Sequence, residues 1–347
     1  MMCGKSLTTL KRNCLVLLEE LVGSSNFVFS LASKEGYLFG RRVLLEGAND
    51  ARSESKIRGL TLQGGYCDEL TLFPKDFFAM LLSRLRVPGA KLIATTNPDS
   101  PKHWLMQEYI NRANDIDLLD VPFLLDDNTT LDPEYVAAIK REYTGVFYDR
   151  FILGRWVAAE GRIYDMFDEA RNVVPSIDRP YTAYYVSMDY GTQNPTAMLL
   201  WGKYSNARYA IREYYYSGRN AKRQKTDEEY YKDLETFAGG LPIKSVIIDP
   251  SAASMIACIR AHHKFRVRSA DNTVIDGIRN TATALSTQSI MICDCCTNTL
   301  AEIESYVWDE KASLRGEDKP VKENDHAMDA MRYFCQTVLR GPVFDFT

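Results

Sequence analysis

The pattern of apolar and polar positions predicts alternating helices and strands along most of the chain. Apolar side chains recur at helical spacing over residues 7–22, which predicts an amphipathic helix. Strand-like runs at 61–67 and 91–95 flank a helical stretch at 74–86, and each run ends in polar residues. A helix of that length can make the right-handed crossover that parallel strands require. The first half is therefore expected to contain a parallel strand-helix-strand unit.

Two other segments of the first half carry turn signals rather than a long periodic pattern. Strand-like runs at 27–31 and 42–46 lie on either side of Lys34-Glu35-Gly36, which predicts a hairpin with its turn at those three residues. Residues 158–180 show little periodicity and contain one glycine and two prolines, which is typical of a linker. We therefore expect a first domain over residues 1–157 and a linker after it.

The pattern changes at residue 181, where a second domain over residues 181–347 is expected to begin. Three strand-like runs at 181–189, 196–202 and 209–216 predict an antiparallel meander. Helices and strands alternate after the meander, as far as a last helix at about 324–339. Three meandering strands followed by alternating helices and strands are the order of a ribonuclease H-like core.

Composition narrows the class of protein without changing this picture. The 347 residues suffice for two cores, and the fractions of hydrophobic (46%) and charged (25%) residues are those of a globular protein. A net charge of −4 neither indicates a nucleic-acid binder nor excludes a locally basic groove. The sequence contains no run of 18 apolar residues and no secretory leader pattern, so we expect a soluble protein in the cytoplasm.

Three carboxylates and a histidine form the main candidate site. Asp189 and Asp249 each end a predicted strand, and Asp329 and His326 lie one helical turn apart on the last helix. Ligands gather beyond the carboxyl ends of strands in α/β sheets, so these side chains can converge. Clustered carboxylates need a compensating cation, and an all-oxygen donor set favours Mg²⁺ or Mn²⁺. Two such ions about 4 Å apart support phosphodiester hydrolysis.

Each of these residues also has an ordinary structural interpretation. An aspartate at a strand end is commonly a turn residue or a helix N-cap, and only the coincidence of three acids in this order favours a metal site. His326 can orient water, protonate a leaving oxygen or complete the metal shell, but it can equally be a surface histidine at a helix start. Asp325 is expected to interact with the dipole of the last helix.

The first domain carries a second candidate site, for a nucleotide. Asp68 and Glu69 close a predicted strand as a Walker B pair does, in which the first acid holds Mg²⁺ through water and the second activates the attacking water. Thr95, Thr96 and Asn97 end the next strand, where a polar group can sense a γ-phosphate. The segment is equally compatible with a strand-to-helix turn.

The phosphate-binding loop that a Walker B pair normally accompanies is incomplete in this sequence. Gly4-Lys5-Ser6 imitates the end of G-x-x-x-x-G-K-[ST], but the first glycine would fall upstream of Met1. No strand is predicted before Gly4, so the tripeptide is interpreted as a helix start.

Zinc chemistry finds no support in the cysteine pattern. Cys293-Asp294-Cys295-Cys296 contains a C-x-x-C, but no second pair lies at a suitable spacing, and His262 and His263 are adjacent instead of three to five residues apart. The cluster is interpreted as a strand end followed by a helix.

In combination, these motifs resemble the large subunit of the terminases of tailed bacteriophages over essentially the whole chain. The motifs that carry the resemblance follow one another in the family's order: Tyr66-Cys67-Asp68-Glu69, Thr95-Thr96-Asn97-Pro98, Gly154-Arg155-Trp156, Glu160-Gly161-Arg162-Ile163-Tyr164, Met188-Asp189-Tyr190-Gly191, Ile248-Asp249-Pro250-Ser251 and His326-Ala327-Met328-Asp329-Ala330-Met331-Arg332-Tyr333.

The resemblance implies an α/β chain with a partial P-loop-type ATPase domain followed by a ribonuclease H-like nuclease domain. It implies an ATPase that drives double-stranded DNA into a procapsid, and an endonuclease that cuts concatemeric DNA. It assigns Asp68 and Glu69 to the Walker B pair, Thr95 to Asn97 to the coupling motif, and Asp189, Asp249 and Asp329 to the nuclease. His326 matches a histidine in part of the family.

The same resemblance implies partners and an incomplete motor. The implied partners are DNA, the small terminase subunit and the portal protein, with a homo-oligomer on the portal. Family members carry a Walker A loop before the region matching Met1, so the chain is expected to be truncated there, to hydrolyse ATP poorly and to use ATP only in a full-length version.

Two alternatives remain open at this point. One is another ribonuclease H-like phosphoryl-transfer enzyme of the resolvase or transposase type, which leaves the first-domain motifs without a role. The other is a packaging remnant that only binds DNA or portal. Candidate DNA contacts are the cluster Lys222, Arg223 and Lys225 and the pair Arg266 and Arg268, although solvated faces are commoner.

Overall fold

The computed structural model describes residues 1–191 and 194–339. Contacts divide the chain into two compact units: Met1–Pro122 with Gly154–Val157 form the first unit, and Phe123–Leu153 with the described residues from Ala158 onward form the second. This division differs from the predicted boundary at residue 157, because 31 residues before that boundary pack with the second unit.

The first unit is built on a sheet that, within the described residues, has the strand order β2-β3-β4-β1-β5-β6. Its strands are β1 (Met2–Gly4), β2 (Phe27–Ser30), β3 (Glu35–Leu38), β4 (Arg41–Gly47), β5 (Gly64–Cys67) and β6 (Lys91–Ala94). Its helices are α1 (Leu7–Leu10), α2 (Val16–Val22), α3 (Lys75–Arg84) and α4 (Trp104–Glu108). A π-helical stretch, Lys11–Leu15, joins α1 to α2 and so gives the helix predicted over residues 7–22.

The predicted strand-helix-strand unit is confirmed, whereas the predicted hairpin is wrong in detail. Strands β5 and β6 are parallel and α3 connects them. The hairpin instead has three strands, because β3 pairs with both β2 and β4. Gly36 therefore lies within a strand instead of a turn. A Cβ atom at this position would come within 2.9 Å of the Val28 carbonyl oxygen, so glycine allows β2 and β3 to approach closely.

The expectation that no strand precedes Gly4-Lys5-Ser6 is also wrong. Strand β1 ends at Gly4 and lies parallel to both β4 and β5. Three residues are too few to show a period, but two strand neighbours satisfy their backbone groups. Ser6 caps α1, and the Lys5 ammonium donates to the Leu72 carbonyl at 3.0 Å.

The second unit is built on a sheet with the order β12-β11-β8-β9-β10-β13-β7 in the part of the chain that the structure describes. Its strands are β7 (Val173–Val174), β8 (Ala183–Asp189), β9 (Thr196–Tyr204), β10 (Ala207–Tyr216), β11 (Ile243–Ile248), β12 (Val267–Ser269) and β13 (Ile290–Cys293). Its helices are α5 (Pro133–Glu142), α6 (Gly145–Phe151), α7 (Glu169–Asn172), α8 (Asp227–Ala238), α9 (Ala253–Ala261), α10 (Val274–Ser286), α11 (Thr297–Ser305), α12 (Glu310–Ser313) and α13 (His326–Phe334).

The strand order predicted for a ribonuclease H-like core is confirmed in this unit. Strands β8, β9 and β10 form the antiparallel meander, and β11 then returns to lie parallel beside β8. Helix α13 packs on one face of the sheet, where the rings of Trp201 and Phe334 stack at 4.1 Å. Helices α8 and α9 contribute to a separate buried cluster with side chains of β8, β9 and β11.

The segment predicted to be a linker, residues 158–180, is part of the second unit instead. It contains α7 and β7, and β7 pairs with β13. Ile163 and Tyr164 are buried in the main core of this unit. Short apolar groups buried without a regular helix or strand leave no periodic signal, which is why the pattern resembled a linker. Among the described residues, no helix is long and apolar enough to cross a membrane.

Candidate active site

The sheet of the second unit brings two of the predicted acids to the same edge. Met188 and Ile248 are partners in the parallel pair of β8 and β11, so Asp189 and Asp249, the next residues, leave the sheet side by side. Neighbouring strands lie about 4.8 Å apart. The parallel register therefore explains why these two residues, distant in sequence, become neighbours.

Helix α13 contributes a histidine to Asp189. The His326 Nδ1 group donates to Asp189 Oδ2 at 2.9 Å, and both side chains are largely buried. Burial raises the pKa of Asp189, and the charges of Asp329 and Asp325 raise it further against the opposing effect of the bond to His326. Burial alone would lower the pKa of His326, but its bond to Asp189 and the surrounding carboxylates raise it overall. The surroundings therefore shift the imidazole towards its protonated form relative to an exposed histidine.

Asp329 lies one turn further along α13, between two cationic side chains. Its Oδ1 accepts from the Arg332 guanidinium at 2.8 Å, and its Oδ2 accepts from the Lys322 ammonium at 3.0 Å. Lys322 also lies 2.9 Å from the carboxylate of Asp325. Arg332 is 3% exposed at its side chain whereas Lys322 is 56% exposed, so the arginine is fixed by its surroundings and the lysine is the partner that can move into solvent.

Asp249 is held by hydrogen bonds from three directions. It accepts from the Ser251 backbone N–H at 2.7 Å, from Asn272 Nδ2 at 3.0 Å and from the Tyr333 hydroxyl at 3.1 Å. Burial alone would raise the pKa of Asp249, but these donors lower it overall. The Tyr333 hydroxyl, which follows Asp329 by one turn, therefore connects Asp249 to α13.

Glu302, on α11, holds the start of α13 in place. Its Oε2 accepts from the backbone N–H groups of Ala327 at 2.7 Å and Met328 at 3.2 Å, and its Oε1 accepts from the Tyr215 hydroxyl at 2.7 Å. Burial raises the pKa of Glu302. A buried carboxylate at a helix N-terminus is stabilised by the free N–H groups and the helix dipole.

These groups surround a cleft of about 910 Å³ that opens beside the end of β8. Asp189, His326, Asp325 and Asp329 line it, whereas Asp249 does not and instead contacts α13 through Tyr333. The donor set fits hard divalent cations, because the side chains are carboxylates. In addition to burial, the charges of Asp329 and Asp325 raise the pKa of Asp189, and a bound cation would offset this repulsion.

The predicted nucleotide residues of the first unit also meet at a sheet edge. Cys67 and Ala94 are partners in β5 and β6, so Asp68 and Thr95 follow on adjacent strands. The Thr95 hydroxyl donates to Asp68 Oδ1 at 3.2 Å, and Asn13 Nδ2 donates to Asp68 Oδ2 at 3.1 Å. Asp68 is therefore a buried acid oriented by two neutral donors.

The other predicted nucleotide residues lie around the same turn. Glu69 adopts a left-handed backbone conformation (φ 57°), which is rare for a residue with a long side chain and recurs at functional sites. Thr96 Oγ1 accepts from the Thr71 backbone N–H at 3.0 Å, and the Asn97 carbonyl accepts from the Thr71 hydroxyl at 3.4 Å. This network holds residues 95–97 against the turn that follows Asp68 and Glu69.

The predicted DNA-contacting cluster is only partly available to a ligand. Arg223 is paired with Glu229, and Lys225 is paired with Asp233 and lies 4.2 Å above the Tyr216 ring. Arg219 lies in the same loop and lines the cleft.

Sequence reasoning missed Glu302, Lys322, Arg332, Asn13 and Arg219. A charged residue inside an otherwise apolar helical face is the one signal that could have found Glu302, and the other four carry no distinguishing pattern.

Comparisons with known proteins identify a family and solved structures that this chain resembles. Residues 26–171 match the family described as "Terminase large subunit, T4likevirus-type, N-terminal". The structure is similar to that of a large terminase from a thermophilic bacteriophage in complex with ADP, with 46% sequence identity and a TM-score of 0.92 over 98% of this chain and 86% of that one. The same thermophilic-phage terminase in complex with ATP-gamma-S gives 45% identity and a TM-score of 0.91 over the same shares. No curated protein matches the chain.

The chain belongs to the large terminase family of bacteriophages. The α/β fold class predicted from the sequence is confirmed, because both sheets contain parallel strands and the structure matches the thermophilic-phage large terminase over 98% of the chain. Membership of this family accounts for the first unit, whose motifs would have no role in a resolvase or transposase.

Proposed function

We propose that the second unit is a metal-dependent endonuclease that cuts DNA by hydrolysing phosphodiester bonds. Asp189, Asp249 and Asp329 are the residues that would hold two Mg²⁺ or Mn²⁺ ions. When bound, such ions activate a water and stabilise the leaving oxygen. The observation that supports this proposal most is the buried Asp189–His326 pair, which lies beside Asp329 in one acid-lined cleft.

The chain's own residues have distinct roles in this proposal. Asp189 holds the His326 ring through Nδ1, so Nε2 is the nitrogen left to exchange a proton with water or with the leaving oxygen. Arg332 fixes the orientation of the Asp329 carboxylate by bonding a single oxygen. Glu302 positions His326 by holding the first backbone N–H groups of α13.

Family membership supports a proposal for the substrate and the partners. We propose concatemeric double-stranded DNA as the substrate, in the cytoplasm of a bacterial host, and the small terminase subunit and the procapsid portal as partners. The chain would act as a homo-oligomer on the portal.

Plasmid cleavage with purified protein tests the nuclease. Asp189→Asn and Asp329→Asn should each abolish cleavage in Mg²⁺ or Mn²⁺ while the protein stays folded by circular dichroism. Asp276→Asn is the matched control, because Asp276 is an exposed acid on α10 paired only with Arg279 among the contacts described. Cleavage retained by both site variants would reject the site. Wild-type protein that binds DNA but never cuts it would favour a packaging remnant.

We also propose that the first unit binds a nucleotide near Asp68, Glu69 and the segment Thr95 to Asn97. The complexes of the thermophilic-phage terminase with ADP and ATP-gamma-S support this proposal. Asp68 would hold the water shell of Mg²⁺, Glu69 would activate the attacking water, and the segment would sense the γ-phosphate.

That the ATPase unit of this chain is incomplete is a further prediction. We expect ATP turnover by the purified protein to stay near background, because the sequence given carries the Walker B pair without a complete glycine-rich loop. Saturable turnover that Asp68→Asn removes would contradict that expectation.

A further inference from the structure

Three potential metal ligands from two helices meet on the surface of the second unit, outside the acid-lined cleft. Glu228 Oε1 lies 3.5 Å from Cys258 Sγ, and Glu228 Oε2 lies 3.0 Å from His262 Nε2. One donor atom from each of the three side chains lies within 4.8 Å of the others. None of the three has a role in the proposed nuclease.

The fold explains why these residues meet. Cys258 and His262 are four residues apart at the end of α9, so they share one face. Glu228 lies in the first turn of α8, which packs beside α9 over a common buried cluster. The Tyr231 ring stacks on the His262 ring at 3.7 Å with an interplanar angle of 7°, which fixes the orientation of the imidazole.

We propose that Glu228, Cys258 and His262 form a zinc site that ties α8 to α9. A thiolate sulfur, an imidazole nitrogen and a carboxylate oxygen are all zinc ligands, and three protein ligands leave a fourth position for water. Ligand atoms around a tetrahedral zinc ion lie roughly 3.3–3.6 Å apart, given metal–ligand distances of about 2.0–2.3 Å. The separations of 3.0 and 3.5 Å are close to that range but involve different oxygens of the Glu228 carboxylate. One ligand atom from each of the three residues lies within 4.8 Å of the others, so a small rotation of the exposed Glu228 side chain would complete the set.

The charge and softness of the donors favour zinc over the ions of the cleft. One thiolate and one carboxylate together balance the charge of a divalent cation. Thiolate and imidazole select Zn²⁺ or Co²⁺, whereas carboxylates alone suit Mg²⁺ and Mn²⁺. The Glu228–Cys258–His262 site and the acid-lined cleft should therefore bind different metals, although both lie in the second unit. The site escapes a sequence search because its third ligand comes from 30 residues earlier, on another helix.

Cobalt binding to the full chain tests the proposal directly. After chelation and dialysis, Co²⁺ should bind with a near-ultraviolet thiolate-to-cobalt absorption that saturates at one equivalent and is displaced by Zn²⁺. The absorption should vanish in Cys258→Ser and fall at least tenfold in apparent affinity in His262→Ala and Glu228→Gln. It should persist in the double variant Asp189→Asn/Asp329→Asn, which separates it from the nuclease cleft.

Two matched variants control for nonspecific binding. Cys295→Ser removes another exposed thiol, and His263→Ala removes the histidine next to His262. Both should keep the absorption. Zn²⁺ should raise the thermal midpoint of the wild type and of both controls, leaving Cys258→Ser unchanged. The proposal is overturned by a wild type without thiolate absorption, by absorption that survives in Cys258→Ser, or by loss of absorption in Cys295→Ser alone.

Discussion

Glu302→Ala should destabilise the protein and displace His326 from Asp189 at the same time. Glu302 is 5% exposed, and its carboxylate accepts from the backbone N–H groups of Ala327 and Met328, the second and third residues of α13, and from the Tyr215 hydroxyl. Truncation to alanine leaves those two N–H groups buried without an acceptor. Because His326 is the first residue of α13, any shift of the helix start moves its ring away from Asp189.

The size of the effect follows from the contacts that are lost. An unsatisfied buried donor costs about 1–3 kcal/mol, and water entering the space left by the side chain recovers part of that. We therefore expect the free energy of unfolding to fall by about 2–4 kcal/mol in Glu302→Ala. Glu304→Ala on the same helix is the control, because Glu304 is exposed and its loss should change stability by less than about 0.5 kcal/mol.

Urea denaturation of both variants, followed by plasmid cleavage under conditions where each is folded, measures the two effects separately. Glu302→Gln should be milder in both assays, because its carbonyl oxygen can still accept both N–H groups. Positioning of His326 predicts that cleavage falls at least tenfold in the alanine variant and recovers partly in the glutamine variant. A Glu302→Ala protein within about 0.5 kcal/mol of the wild type would refute the capping argument.

Three further predictions concern the same unit. Burial raises the pKa of Glu302 in the folded protein. The stability that this shift contributes is therefore fully present below the ordinary pKa of a glutamate and is lost as the pH rises through the pKa of the folded protein. In pH-dependent denaturation, the unfolding free energy of the wild type minus that of Glu302→Gln should fall over that range of pH. Gly277→Ala would place a Cβ atom 2.5 Å from Arg332 Cγ, which should push the guanidinium off Asp329 and lower cleavage about tenfold, with about 1–3 kcal/mol lost in thermal unfolding. Asp318→Ala removes the carboxylate that accepts from the buried Arg150 guanidinium, which should cost about 3–5 kcal/mol in urea, whereas adding Arg150→Met should recover part of that loss.

The sequence carries enough information for those parts of the fold that are periodic or end in polar residues. Strands β8 and β11 could be placed because their apolar runs stop at Asp189 and Asp249, and α13 because its apolar face repeats over several turns. Strand β1 could not be placed, because three residues carry no period. Residues 123–153 belong to the second unit because they pack against segments that are distant in sequence, and no local pattern encodes such packing.

The same distinction separates the predictable part of the site from the rest. Register between parallel strands brings Asp189 beside Asp249 and Asp68 beside Thr95, and strand ends in a sequence are visible. The side chains that bond each acid and shift its pKa cannot be identified from the sequence. Glu302 reaches α13 from a helix 25 residues earlier, so its role exists only in three dimensions.

The charges around Asp329 determine what a cation must overcome at this site. Four acidic side chains, Asp189, Asp325, Asp329 and Glu302, lie near three basic ones, His326, Lys322 and Arg332, and two of the acids, Asp189 and Asp329, are already paired with cationic partners. A divalent ion bound to Asp329 would compete with one of the two cationic side chains that donate to its carboxylate oxygens. Arg332 cannot leave, because its guanidinium also donates to the carbonyls of Asn272 and Thr273 and its side chain is 3% exposed. Lys322 is half exposed and bonded only to carboxylates among the contacts described, so it is the cation that metal would displace. In the proposed metal site, the Lys322 ammonium and a metal ion would therefore compete for the same carboxylate oxygens of Asp325 and Asp329.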